Sequence, residues 1–133
     1  MTHSQRPDRR AMLKAAATSS VLLAWANAAT ATPKSGELYV VAEIVAKPDQ
    51  ADALRALLVP FAAKSRKEPG CHEYVLMEVE SEPGRFQTYE RWTGHAALDA
   101  HMKTPAMAAL GPKLAPLLAK PFTQTFLTKP KAA

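Results

Sequence analysis

Proton transfer near neutral pH is histidine chemistry, and the chain has four histidines: His3, His72, His95 and His101. His101 is the leading candidate for it. It stands three residues after Leu98 and beside Met102, so on a helix it turns with the apolar face. There it can accept a proton and return it. The plain alternative is a hydrogen-bonded core histidine. His72, at the start of an apolar stretch, reads as a pocket rim or a contact between subunits. His95 and His101 are six apart and fall on different helix faces, so a two-histidine metal site is not expected.

The other polar candidates sit in strand-like runs. In Arg85–Thr93 (RFQTYERWT), period two puts Glu90 and Trp92 on one face and Tyr89 and Arg91 on the other. A buried Glu90 needs a partner, since an unpaired carboxylate is costly. His101 or an arginine can supply it, or Glu90 forms an ion pair holding the hairpin or the subunits. Trp92 is a packing residue or a pocket wall. Tyr74 and Tyr39 can donate hydrogen bonds to a substrate oxygen or simply pack, and Glu43 carries the same ambiguity. Cys71 is the single cysteine, which excludes an internal disulfide framework and a cysteine-cluster metal site. There is no phosphate loop, nucleophile elbow or zinc signature.

The elements that must position these residues follow from periodicity. Glu37–Ala46 (ELYVVAEIVA) is a strand rich in β-branched residues. Leu54, Leu57, Leu58, Phe61 and Ala62 make one face of a helix from about Asp49, a plausible N-cap, to Lys67. Pro60 should kink it, and Glu68-Pro69-Gly70 stops it. Cys71–Glu80 and Arg85–Thr93 form a hairpin around Ser81-Glu82-Pro83-Gly84. Gly94 opens a short helix bearing Leu98, His101 and Met102. Thr104 caps a second helix from Pro105, which Gly111-Pro112 and Pro116 should break into pieces. Lys120–Leu127 is the last strand. The order β-α-β-β-α-β predicts an α+β, ferredoxin-like fold: a four-stranded antiparallel sheet with helices on one face. The bare face would carry Val40, Ala42 and Ile44 or their alternates. An apolar face of that size predicts a homodimer joined sheet to sheet.

The length of 133 residues fits one domain. Of 17 basic and 12 acidic residues, the first 31 positions hold four and one. The remainder is nearly neutral, at +2, and gives little reason to expect nucleic-acid binding. Residues 1–31 have the order of an export signal: Asp8-Arg9-Arg10-Ala11-Met12-Leu13-Lys14, an apolar run Ala15–Ala26, then Ala26-Asn27-Ala28 and Ala29-Thr30-Ala31. The paired arginines resemble a twin-arginine signal, which predicts a periplasmic or secreted protein. The alternative is an amphipathic or buried N-terminal helix. The run is too short for a permanent membrane anchor. Residues 36–128 form the domain and 129–133 a polar tail.

Glu68-Pro69-Gly70-Cys71-His72-Glu73-Tyr74 resembles the E-P-G-C-x-x-Y signature of the antibiotic biosynthesis monooxygenase family. Tyr89-Glu90-Arg91-Trp92, Ala97-Leu98-Asp99-Ala100-His101 and Thr104-Pro105 extend the likeness, closest to its small quinol monooxygenase branch. The resemblance implies a dimeric α+β barrel, a pocket between sheet and helices, and oxygenation without a cofactor in some members. It also places His101 at that pocket. A haem-degrading branch resembles an Asn on the first strand with a Trp and a His on the second helical region. The matching positions here, Val41, His101 and Gly111, carry none of these, which disfavours haem degradation. The implied function is cofactor-independent oxidation of a quinol or other electron-rich aromatic by O2. His101 would be the base, Glu90 its partner, and Tyr74, Trp92, His72, Glu43 and Tyr39 the substrate contacts. The alternatives are a non-catalytic dimeric module binding a small ligand in the periplasm, or an isomerase of the same family.

Overall fold

A computed structural model describes residues 36–132; the expected export signal, residues 1–31, lies outside them. The elements run β1 (Leu38–Val45), α1 (Ala51–Ser65), β2 (Cys71–Glu78), β3 (Arg85–Trp92), α2 (His95–Met102) and α3 (Pro105–Leu114), then a 3-10 turn (Ala115–Leu117) and β4 (Thr123–Leu127). The strands form one antiparallel sheet in the order β2-β3-β1-β4. This is the ferredoxin-like arrangement expected from the element order.

The alternation of β1 and β3 sorts the two faces. Leu38, Val40, Ala42 and Ile44 lie opposite Trp92, Glu90, Thr88 and Phe86, and all eight are buried. Val40, Ala42 and Ile44 therefore belong to the core under the helices. Their alternates Tyr39, Val41, Glu43 and Val45 face the side without helices. From α1, Leu54, Leu58, Phe61 and Ala62 close the core, and Leu98, Leu110 and Leu114 add α2 and α3. Each of these leucine and phenylalanine side chains taken out of water contributes about 1.5–3 kcal/mol.

Three local expectations change. Asp49 does not cap α1: it sits at φ 63, and Gln50 precedes the helix without a side-chain cap. Asp tolerates that left-handed conformation better than most residues. Gly111-Pro112 does not break α3, which runs on to Leu114. The cost is one lost bond to the Ala108 carbonyl, and Ala108 is exposed, where water can substitute. Residues 120–122 fall outside β4, since Pro121 has no N–H to give the ladder. The expected cap of α3 is present: Met107 N–H donates to Thr104 Oγ1 at 3.2 Å.

Candidate active site

Three elements converge on His101. The last turn of α2 presents its ring to the sheet, with 2% of the side chain exposed. The turn after α1 brings Glu68, whose Oε2 lies 2.7 Å from His101 Nδ1. The sheet supplies the floor. Trp92, Phe61 and Tyr74 surround the imidazole, with ring centroids at 4.8, 5.6 and 5.8 Å. Thr104 Oγ1 donates to the His101 carbonyl at 2.9 Å and pins the backbone behind the ring.

Gly70 lets these elements meet. At φ +79 it takes a backbone conformation that other residues adopt with strain. A Cβ there would stand 2.7 Å from the Ala97 Cβ and from Thr93 Oγ1. Without a side chain, the Glu68 turn can lie against the start of α2.

The pairing of His101 corrects the expected partner. Glu90 is buried, but neither His101 nor an arginine binds it. Thr88 Oγ1 donates to Glu90 Oε1 at 2.7 Å, and Trp92 Nε1 donates to Oε2 at 2.9 Å. Positions 88, 90 and 92 share one strand face, so the neighbours two residues away reach the carboxylate first. Glu90 is thus a buried carboxylate held by neutral donors alone.

His101, Glu90 and Tyr74 line one cavity of about 40 Å³, closed elsewhere by Ala42, Ile44, Leu58, Phe61, Met107, Leu110, Leu114, Phe122 and Gln124. That volume holds one to a few waters. A ring enters only if a wall moves, and Met107, unbranched and flexible, is suited to give way. With Nδ1 committed to Glu68, Nε2 is the nitrogen left for the cavity, and no buried side-chain polar atom among the described residues lacks a partner. Burial, then the Glu90 and Glu68 charges, pushes the Tyr74 phenol far above its ordinary range, so it remains a donor. Burial likewise pushes the Cys71 thiol up, ahead of the Glu68 and Glu90 charges, which keeps it from acting as a thiolate.

The remaining expected site residues lie elsewhere. Trp92 is fully buried behind His101 and Glu90 and holds them without lining the cavity. His72 is exposed, at an irregularity between Cys71 and Glu73 that takes it out of the β2–β3 ladder. Tyr39 and Glu43 are on the opposite sheet face. The Tyr39 hydroxyl donates to Glu37 Oε2 at 2.8 Å. Glu43 is gripped by Lys120 at 2.8 Å and Arg85 at 2.7 Å, which hold its carboxyl down to about 2. Glu68, Phe61, Met107 and Gln124 were not among the expected site residues. Phe61 was legible as core from its helix face, and Glu68 stood within the E-P-G-C stretch, where it reads first as a helix stop.

A buried imidazole with a carboxylate on Nδ1 and a cavity at its other nitrogen can take a proton and return it. Tyr74, which lines the same cavity and keeps its phenolic proton, can donate to an anion that forms there. No group of three or more His, Cys, Asp or Glu among the described residues is arranged to hold a metal ion.

The family model described as antibiotic biosynthesis monooxygenase matches residues 38–112. An uncharacterised Synechocystis protein is 40% identical over 84 residues, 63% of this chain. The match spans 57% of that relative's length. A Mycobacterium tuberculosis protein named a putative monooxygenase is 34% identical over 88 residues, 66% of this chain and 86% of its own. Its solved structure superposes with a TM-score of 0.66 at 32% identity, covering 73% of this chain and 98% of that one. A Pseudomonas aeruginosa protein of known structure gives a TM-score of 0.69 at 30% identity, covering 73% and 97%.

Proposed function

This chain belongs to the antibiotic biosynthesis monooxygenase family, and from that premise we propose that it oxidises a quinol or another electron-rich aromatic with O2, without a cofactor. The observation that carries the proposal is the buried His101, its Nδ1 fixed at 2.7 Å by Glu68 and its ring set in the wall of a mostly apolar cavity that Tyr74 also lines.

Neutral His101 takes the phenolic proton at Nε2, and the Glu68 carboxylate stabilises the imidazolium. Tyr74 donates to the phenolate oxygen. The phenolate passes one electron to O2, and the phenoxyl and superoxide combine at a ring carbon as a peroxide. His101 returns its proton to the outer peroxide oxygen. The ring C–H proton then leaves, its electron pair forms the new carbonyl bond, and the O–O bond breaks. The departing hydroxide takes that proton and leaves as water. One oxygen atom enters the ring and the other becomes water, with every electron drawn from the substrate. Exclusion of water protects the radical pair.

The test is oxygen consumption by the full chain with a panel of reduced quinones and polyphenols, in metal-free buffer. The expected result is uptake above autoxidation, lost in His101→Ala. Unchanged uptake in that variant overturns the assignment. A second reading, non-catalytic binding of a small ligand, is favoured by the mostly apolar walls and small volume of the cavity. Binding without uptake across the whole panel would establish it. An isomerase could use the same imidazole–carboxylate pair, and turnover in the absence of O2 would identify one.

The proposal extends to a sheet-to-sheet homodimer and to export by the twin-arginine route. The dimer is supported by apolar groups on the sheet face without helices, and export by the Arg9-Arg10 signal pattern.

A further inference from the structure

A second hollow, of about 180 Å³, opens between α1 and α3. Its apolar part is Leu57, Pro60, Phe61 and Leu110, and its cations are Lys64 and Lys113. Neither lysine has a carboxylate partner among the described residues. No acidic side chain lines the hollow. α3 has none, and the one acidic residue of α1, Asp52, is held by Arg55. Pro60 has no N–H to give the Ala56 carbonyl, which therefore lacks its usual helical donor, and both residues line the hollow. Phe61 and Leu110 are walls of this groove and of the His101 cavity alike. One layer of side chains separates the two, and the Phe61 ring centroid is 5.6 Å from that of His101.

We propose that the α1–α3 groove is an anion-selecting anteroom to the His101 cavity, and that its ligand is a hydroxylated ring bearing a carboxylate or similar acid group. The ring lies on the apolar floor, the acid group meets Lys64 and Lys113, and a hydroxyl can donate to the Ala56 carbonyl. The volume is below the roughly 300–1,000 Å³ of drug-sized sites and suits one ring. That such a ligand is then oxidised rests on the function proposed above; that it binds here does not.

Nitrogen-15-labelled full chain is titrated with 2,5-dihydroxybenzoate and with uncharged hydroquinone, following backbone amide shifts. The acid is expected to bind about fivefold more tightly, the scale of two exposed ion pairs, and to move the amides of Ala56, Leu57, Ala106 and Ala109. Lys64→Gln with Lys113→Gln should remove the preference, whereas Lys47→Gln with Lys131→Gln, an equal charge loss elsewhere, should keep it. In the unmodified protein, 0.5 M NaCl should also shrink it, because exposed pairs are screened. Equal affinity for the two probes overturns the proposal. So do shifts that leave α1 and α3 unmoved, or a preference that survives loss of both lysines. Oxygen uptake is measured on the same samples. A preference without uptake removes the oxygenation reading and supports the groove, and uptake without a preference removes the groove alone.

Discussion

Glu68 decides what His101 can do. Its oxygen 2.7 Å from Nδ1 fixes the ring and leaves Nε2 for the cavity. Its charge stabilises the imidazolium that forms when a phenol gives up its proton. Glu68→Gln keeps the size and a hydrogen bond but loses the charge. It is expected to lower kcat for oxygen uptake about 100-fold, within the usual range for acid–base groups, with the circular dichroism spectrum unchanged. A loss below threefold would show that the carboxylate only packs. The inward turn of His101 was legible from Leu98 and Met102, and the shared face of Glu90 and Trp92 from strand alternation. The His101–Glu68 pair was not legible, because 33 positions separate the two and only the tertiary fold closes that gap. Glu90 found its donors two positions away on its own strand, a competition that periodicity alone does not rank.

Among the elements, the turn holding Gly70 couples α1 to α2. Gly70→Ala would add a methyl 2.7 Å from two side-chain atoms at a positive φ. The expected cost is about 1–3 kcal/mol for the strained backbone. It should appear as a fall of several degrees or more in Tm, together with weaker oxygen uptake as Glu68 shifts from His101. The sheet offers a second measurement. Lys120 and Arg85 bond the charged form of Glu43 and hold its carboxyl down to about 2, against 4.5 for an unperturbed glutamate. A lowered pKa stabilises the fold fully above the unfolded value, and the effect fades as pH falls from about 4.5 through about 2. Glu43→Gln should therefore lower Tm at pH 6, and the gap to the unmodified protein should narrow steadily as pH falls toward 2. A Tm difference of the same size at pH 6 and pH 2 would trace the effect to packing instead of charge. β1 and β3 were legible nearly to the residue because burial on one face enforces strict alternation. The start of α1 was less so, because Asp49 takes a left-handed conformation in place of capping, and so was the course of α3, where the buried Leu110 and Leu114 carry the helix past an exposed Pro112.

At the level of the whole molecule, the sheet has one face under helices and one without. The latter presents Val75, Met77 and Leu127, exposed by 37%, 46% and 40%, alongside Tyr39, Val41, Val45 and Tyr89. Arg85 with Glu43, and Arg91 with Glu37 and Glu73, add charged pairs to the same face. Water is a poor neighbour for so much contiguous apolar surface, and a second copy of the same sheet is a self-complementary cover with an apolar centre and charged groups around it. The protein is therefore expected to sediment at twice its chain mass at micromolar concentration. Met77→Arg places a charge on each copy where the other must pack, and desolvating it without a partner is costly. That variant should sediment as a monomer, with its far-ultraviolet circular dichroism per residue unchanged because Met77 takes no part in the core on the helix side. A monomeric unmodified chain would leave the face to another partner. A dimer that survives Met77→Arg would place the interface elsewhere, with β4 and its exposed Phe126, set edge-to-face with His95 at 5.8 Å, the next surface to alter.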